Sequence, residues 1–137
     1  MENSYQAYMK LPERFILIDD DPFNNKLCKN ILNKIYKNIE VIGFTEPEKG
    51  IDYILNEYSE NPVYTVLFLD INMPTLNGWQ VVEKISHMSD NICMNIVIFI
   101  LSSSIHLVDK TKASENPFIS GYIEKPLNIK RLESIFI

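Results

Sequence analysis

Cysteine is scarce in this chain: Cys28 and Cys93 are the only two among 137 residues, 65 positions apart (93 − 28). That spacing and number exclude a disulfide-stapled scaffold, and neither has a Cys or His neighbour at the spacing of a structural zinc site. Both read as reduced thiols packed as small apolar groups. Histidine is equally rare, and His87 and His106 fall in polar loop or helix-end contexts that read as solvated. None of the four glycines follows the first apolar run, Phe15-Ile16-Leu17-Ile18, so no glycine-rich phosphate loop exists there. Basic charge is also short. With 13 Lys and Arg against 18 Asp and Glu, a net charge of −5 and a pI near 5.0, the chain lacks the clustered positive surface that nucleic acid or an anionic membrane rewards. No apolar run reaches membrane-spanning length, and the N-terminus has no secretion-signal pattern, so the expected location is cytoplasmic.

What is present is a chain sized for one domain, 46% hydrophobic, expected over residues 14–137 after a loose or helical lead-in at 1–13. Short apolar runs alternate with stretches of helical period, the pattern of β-α repeats around a parallel sheet. Strand one is expected at Phe15 to Asp19. Asp21 then caps a helix with Pro22 at its first position, and Leu27, Cys28, Ile31, Leu32 and Ile35 form its apolar stripe. Strand two spans about Ile39 to Phe44, and Thr45 to Glu48 has capping-box spacing for a second helix ended by Asn61-Pro62. Strand three, Thr65 to Leu69, is apolar enough to be covered on both faces. Asn77-Gly78 leads into helix three, where Trp79 packs, as Tyr53 does on helix two. Strand four is Ile96 to Leu101, a weaker helix runs near Leu107 to Ser114, strand five is Gly121 to Ile123, and a last helix lies near Asn128 to Ile135.

The polar residues then converge. Asp19, Asp20, Asp70, Ser102 and Lys125 all follow the carboxyl ends of strands one, three, four and five, the edge where open α/β sheets bind ligands. Three carboxylates in one crevice repel unless a cation or a proton is shared among them. Singly, an Asp after a strand is often a turn residue, and a serine triplet or a Lys before Pro is often only solvated. Their conjunction points to a site.

Here the sequence resembles the receiver domains of two-component response regulators. The resemblance rests on Ile18-Asp19-Asp20-Asp21, on Asp70-Ile71-Asn72-Met73-Pro74 with Asn77-Gly78, on Leu101-Ser102-Ser103, and on Gly121-Tyr122-Ile123-Glu124-Lys125-Pro126. It covers about residues 14 to 137. It implies a flavodoxin-like α/β fold: a doubly wound, five-stranded parallel sheet of order 2-1-3-4-5 with five helices. It also implies that Asp70 accepts a phosphoryl group from a histidine kinase or phosphotransfer protein. Mg²⁺ is then held by Asp20 directly, by Asp19 through water, by Asp70 and by the Asn72 backbone carbonyl. Lys125 and Ser102 contact the phosphoryl group, and Ser102 with Tyr122 forms a switch that signals to a downstream protein through the face of helix four, strand five and helix five. The resemblance implies a signalling protein and not a classical enzyme.

The chemistry asks for these groups. A carboxylate attacking an anionic phosphoryl donor needs a cation to offset repulsion, and Mg²⁺ suits oxygen ligands and retained waters. Lys125 adds a mobile point charge. Ser102 stands where Thr is commoner, keeping the hydroxyl without the methyl that stiffens the rotamer. Asn116-Pro117-Phe118 stands where a short Gly-containing loop is frequent. A haloacid-dehalogenase-like phosphatase is the rival, but it wants an acid two positions after the nucleophile, where this chain has Asn72. A flavodoxin-like phosphate-binding module is disfavoured because Asp19-Asp20-Asp21 would repel phosphate. A receiver that never takes phosphate is countered by the intact acids, hydroxyl and lysine.

Overall fold

Alternation of side chains along a strand assigns each residue to one face of a sheet, and here both faces are apolar. The computed structural model describes residues 9–103 and 106–136. Five strands, β1 (Arg14–Ile18), β2 (Glu40–Phe44), β3 (Thr65–Leu69), β4 (Ile96–Ser102) and β5 (Ile119–Glu124), form one parallel sheet of order β2-β1-β3-β4-β5. Ile16, Ile18, Leu67, Leu69, Ile98 and Ile100 point into one core and Phe15, Leu17, Val66, Phe68, Phe99 and Leu101 into the other. Burying each such side chain contributes about 1.5–3 kcal/mol, so β3, buried at all five positions, is the sheet's central anchor.

Six α-helices cover the faces among the described residues: α1 (Pro22–Ile35), α2 (Pro47–Asn56), α3 (Gly78–Ser86), α4 (Asp90–Asn95), α5 (Leu107–Glu115) and α6 (Ile129–Ile135), with a 3₁₀ turn at Tyr58–Glu60. The expected order 2-1-3-4-5 is therefore present, with one helix more than the five expected. The addition is α4, six residues whose N-cap, Ser89, accepts from the Ile92 N–H. The helices expected as fourth and fifth are α5 and α6. Helix α2 departs from its expected start. Its N-cap is Glu46 with Pro47 at the first position and no side-chain capping bond, so Thr45 and Glu48 make no capping box, and the helix ends at Asn56, before Asn61-Pro62.

Cys28 and Leu32 of α1, with Leu132 and Ile135 of α6, pack on the Phe15 side, while Ile51 and Ile54 of α2 and Val81, Val82 and Ile85 of α3 pack on the Ile16 side. The described part of the lead-in is neither helical nor loose. Met9 donates its N–H to the Ile135 carbonyl at 2.8 Å and bridges to Phe136 in parallel. No described helix is long and apolar enough to cross a membrane.

Candidate functional site at the carboxyl edge of the sheet

Each key residue is pinned by a backbone bond just past its strand. The Asp19 N–H donates to Phe44 O at 3.1 Å, the Asp70 N–H to Ile18 O at 2.9 Å, and the Lys125 N–H to Ser102 O at 2.9 Å. These bonds extend the ladder by one residue and fix three side chains to the carboxyl ends of β1, β3 and β5. Asp19, Asp70 and Lys125 also continue the parity of Leu17, Phe68 and Ile123, whose side chains lie on the α1 and α6 face.

One carboxylate oxygen from each of Asp19, Asp20 and Asp70 lies within 4.8 Å of the others. Asp19 and Asp70 are buried and Asp20 is half-buried. Lys125 Nζ sits 2.7 Å from Asp19 Oδ2 and 3.5 Å from Asp70 Oδ1, so the protein supplies its own counter-ion to the cluster. Asp19 is the most heavily engaged acid. Its Oδ2 also accepts from Asn24 Nδ2 at 2.7 Å, and its Oδ1 accepts from the Asp21 N–H at 2.9 Å. Asp21 itself does what its place before Pro22 predicts, accepting from the Phe23 N–H as the α1 N-cap.

Burial, and after it the Asp19 charge, push the Asp70 carboxyl up to about 6. Burial also pulls on Lys125, but its hydrogen bond to Asp19 and the surrounding negative charge outweigh this and hold its ammonium above the usual lysine range. Beneath the acids, burial and then Asp19 raise the Cys28 thiol to about 11, which keeps it an inert packing group.

Ser102 is buried at the end of β4 and Tyr122 is half-buried on β5, paired in register with Ile100. Tyr122 packs against the Ile16-side core, with Lys110 Nζ 5.9 Å from its ring centroid. Asn72 is exposed in the loop after Asp70. That loop folds back so that the Gly78 N–H donates to Ile71 O at 2.8 Å, and a Cβ on Gly78 would meet Asp70 O at 2.4 Å. Asn77 and Gln80 close a capping box on α3, and Lys125-Pro126 is a cis peptide.

The donor set suits a hard cation. Three carboxylates converge with no sulfur or imidazole among them, and the half-buried Asp20 leaves access for water, as Mg²⁺ or Mn²⁺ sites require. The structure brings these acids, Ser102 and Lys125 to one edge, and adds Asn24, which is absent from the set expected from sequence. Its signal was available: Asn24 shares the buried stripe of α1 with Cys28 and Leu32 at four-residue spacing, a polar side chain on an apolar face.

Comparisons agree with this geometry. Residues 15–136 match the family described as the response regulator receiver domain. Hybrid signal transduction histidine kinase I of Dictyostelium discoideum is 24% identical over 125 residues, covering 91% of this chain and 7% of that protein. The chain spans less than half the length of the first curated relatives it matches. Among solved structures, a two-component response regulator from Cytophaga hutchinsonii superposes with a TM-score of 0.80 at 26% identity, covering 91% of this chain and 93% of that one. The Mn²⁺-bound form of response regulator Rcp1 shares the fold, with a TM-score of 0.69 at 22% identity over 88% of this chain and 86% of that one.

Proposed function

Because the chain belongs to the response regulator receiver domain family, we propose that Asp70 accepts a phosphoryl group from the phosphohistidine of a histidine kinase or phosphotransfer protein. An Asp70 oxygen forms the new bond to phosphorus as the P–N bond of the donor breaks, and the released imidazole nitrogen keeps the electron pair and takes a proton. Asp20, Asp70 and the Asn72 carbonyl would hold Mg²⁺ directly, with Asp19 acting through water, and the ion would supply charge neutralisation between acid and donor. Asp19 suits the indirect role because both its oxygens already accept bonds from protein groups.

The observation that carries the reading is Lys125, which reaches Asp19 and Asp70 together and is therefore positioned to contact a phosphoryl group on Asp70. Ser102 is placed one residue past the pair Leu101 and Ile123 and donates to the phosphoryl oxygen from the other side. Output passes to a downstream protein through α5, β5 and α6, where Leu107 and Val108 are each 76% exposed. The acid surplus supports a protein partner over nucleic acid or an anionic membrane. The receiver unit is residues 14–137, with 1–13 as its lead-in.

Incubation with acetyl phosphate and Mg²⁺ tests the assignment. One acid-stable, base-labile phosphoryl group is expected, and Asp70→Asn abolishes it. Stoichiometric labelling of that variant overturns the reading.

A further inference from the structure

Asn24 is a polar side chain with 8% exposure, in the first turn of α1 and five residues past Asp19. Its amide nitrogen and the Lys125 ammonium both lie 2.7 Å from the same oxygen, Asp19 Oδ2. Two donors therefore share one acceptor, and only Lys125 has a second carboxylate within reach, the other side-chain partner of Asn24 being the Cys28 thiol. Lys125 has Asp70 at 3.5 Å, while Asn24 is fixed by the helix that Asp21 caps.

We propose that Asn24 is a positioning residue for phosphoryl acceptance: it retains Asp19 when Lys125 moves from Asp19 toward the phosphoryl group on Asp70. The inference rests on Asp70 being the phosphoacceptor. A carboxylate buried as deeply as Asp19, at 3% exposure, is costly when left without a strong donor. With Asn24 and the Asp21 N–H in place, departure of the lysine leaves Oδ1 and Oδ2 each with one hydrogen bond. Without Asn24, Lys125 is the only side-chain donor to Oδ2 among the described residues, and its departure would strand that oxygen. The lysine is then held back on Asp19 and meets the phosphoryl group less readily.

The arrangement separates two affinities. Mg²⁺ would be held directly by Asp20 and Asp70 and would reach Asp19 only through water, so it would gain little from Asn24. A phosphoryl mimic on Asp70 requires Lys125 and so depends on how freely Asp19 releases it.

The test measures Mg²⁺ binding by calorimetry and, at saturating Mg²⁺, beryllofluoride binding by fluorine resonance, in the wild type, Asn24→Leu and Asn24→Ser. Beryllofluoride affinity is expected to fall about tenfold or more in both variants, the loss of one hydrogen bond to a charged group, with the Mg²⁺ constant within about threefold of wild type. A variant that merely loosens the pocket weakens both ligands together. Parallel weakening, or unchanged beryllofluoride binding, overturns the inference. If Asn24→Leu does not fold, Asn24→Ser, which keeps a polar group in the first turn, carries the same readout. Failure of the wild type to bind beryllofluoride counts instead against Asp70 as phosphoacceptor.

Discussion

Lys125 Nζ lies 2.7 Å from Asp19 Oδ2, an ion pair whose side chains are 18% and 5% exposed, and it makes the acidic pocket a compensated cluster before any metal binds. The repulsion expected of three neighbouring carboxylates is thus offset from within. Lys125→Met removes the only cation paired with Asp19 and Asp70 among the described residues. It is expected to lower stability without metal by about 3 kcal/mol at pH 7, the usual scale for leaving a buried charge unpaired. Urea unfolding with and without Mg²⁺ checks this, and Mg²⁺ is expected to recover much of the loss.

Much of this arrangement was legible in the chain, for physical reasons that differ by element. β3 and its closing Asp70 stand out because a strand covered on both faces is uniformly apolar. β5 runs beyond the Gly121 to Ile123 expected, because it lies at the sheet edge with exposed positions at Ser120 and Glu124 that weaken its apolar signal. α4 has little sequence signal, because six residues containing Asn91 and Asn95 show no helical stripe and leave Ser89 as its only start signal. The Thr45–Glu48 spacing mimics a capping box, but Pro47 fixes the helix start one residue too late for Thr45 to cap it. The acids and lysine were legible as strand-end residues, whereas the Asp19–Asn24 contact depends on how α1 docks, which spacing alone does not specify.

The Asp70 carboxyl supplies a pH dependence. Its folded-state value of about 6 exceeds the ordinary 3.8, so between those values the folded protein binds more protons than the unfolded chain. The stability associated with protonated Asp70 is fully present below about pH 4 and is lost as pH rises through about 6, a change of about 3 kcal/mol. Metal-free urea unfolding at several pH values, wild type against Asp70→Asn, isolates this contribution. The Asn variant is expected to be the more stable at pH 7, with the difference shrinking toward pH 4. Mg²⁺ binds the ionised carboxylate in competition with the proton, so its addition is expected to shrink or reverse the wild-type loss as pH rises.

Gly78 opens α3, where alanine is ordinarily better than glycine by about 1 kcal/mol. Here the sign reverses. An added Cβ would stand 2.4 Å from Asp70 O and 2.9 Å from Ile71 Cα, both backbone atoms that cannot swing aside. Gly78→Ala is expected to destabilise the fold by about 2 kcal/mol or more and to slow labelling by acetyl phosphate, because relief of the clash displaces Asp70 itself. Thermal melts and labelling rates check both effects.

Ser102 connects the site to the α5–β5–α6 face, since its carbonyl accepts from the Lys125 N–H at 2.9 Å while Tyr122 lies three residues before that lysine. Phosphate on Asp70 rewards only the arrangement in which the Ser102 hydroxyl and the Lys125 ammonium both reach it. Movement of the hydroxyl toward phosphate is expected to vacate space beside β5 for Tyr122 to turn into, altering the surface near Lys110 and Arg131. A coupling of about 1–3 kcal/mol is the usual scale for such linked sites. Ser102→Ala removes the hydroxyl and leaves Asp70, Lys125 and the metal ligands in place, so phosphorylation of Asp70 is expected to persist while its effect on the distant face is lost. Backbone amide shifts of phosphorylated against unphosphorylated protein, in the wild type and in Ser102→Ala, provide the measurement. The wild type is expected to respond across residues 106–135 and the variant only around Asp70. An equal response in both places the output route outside the Ser102–Tyr122 pair.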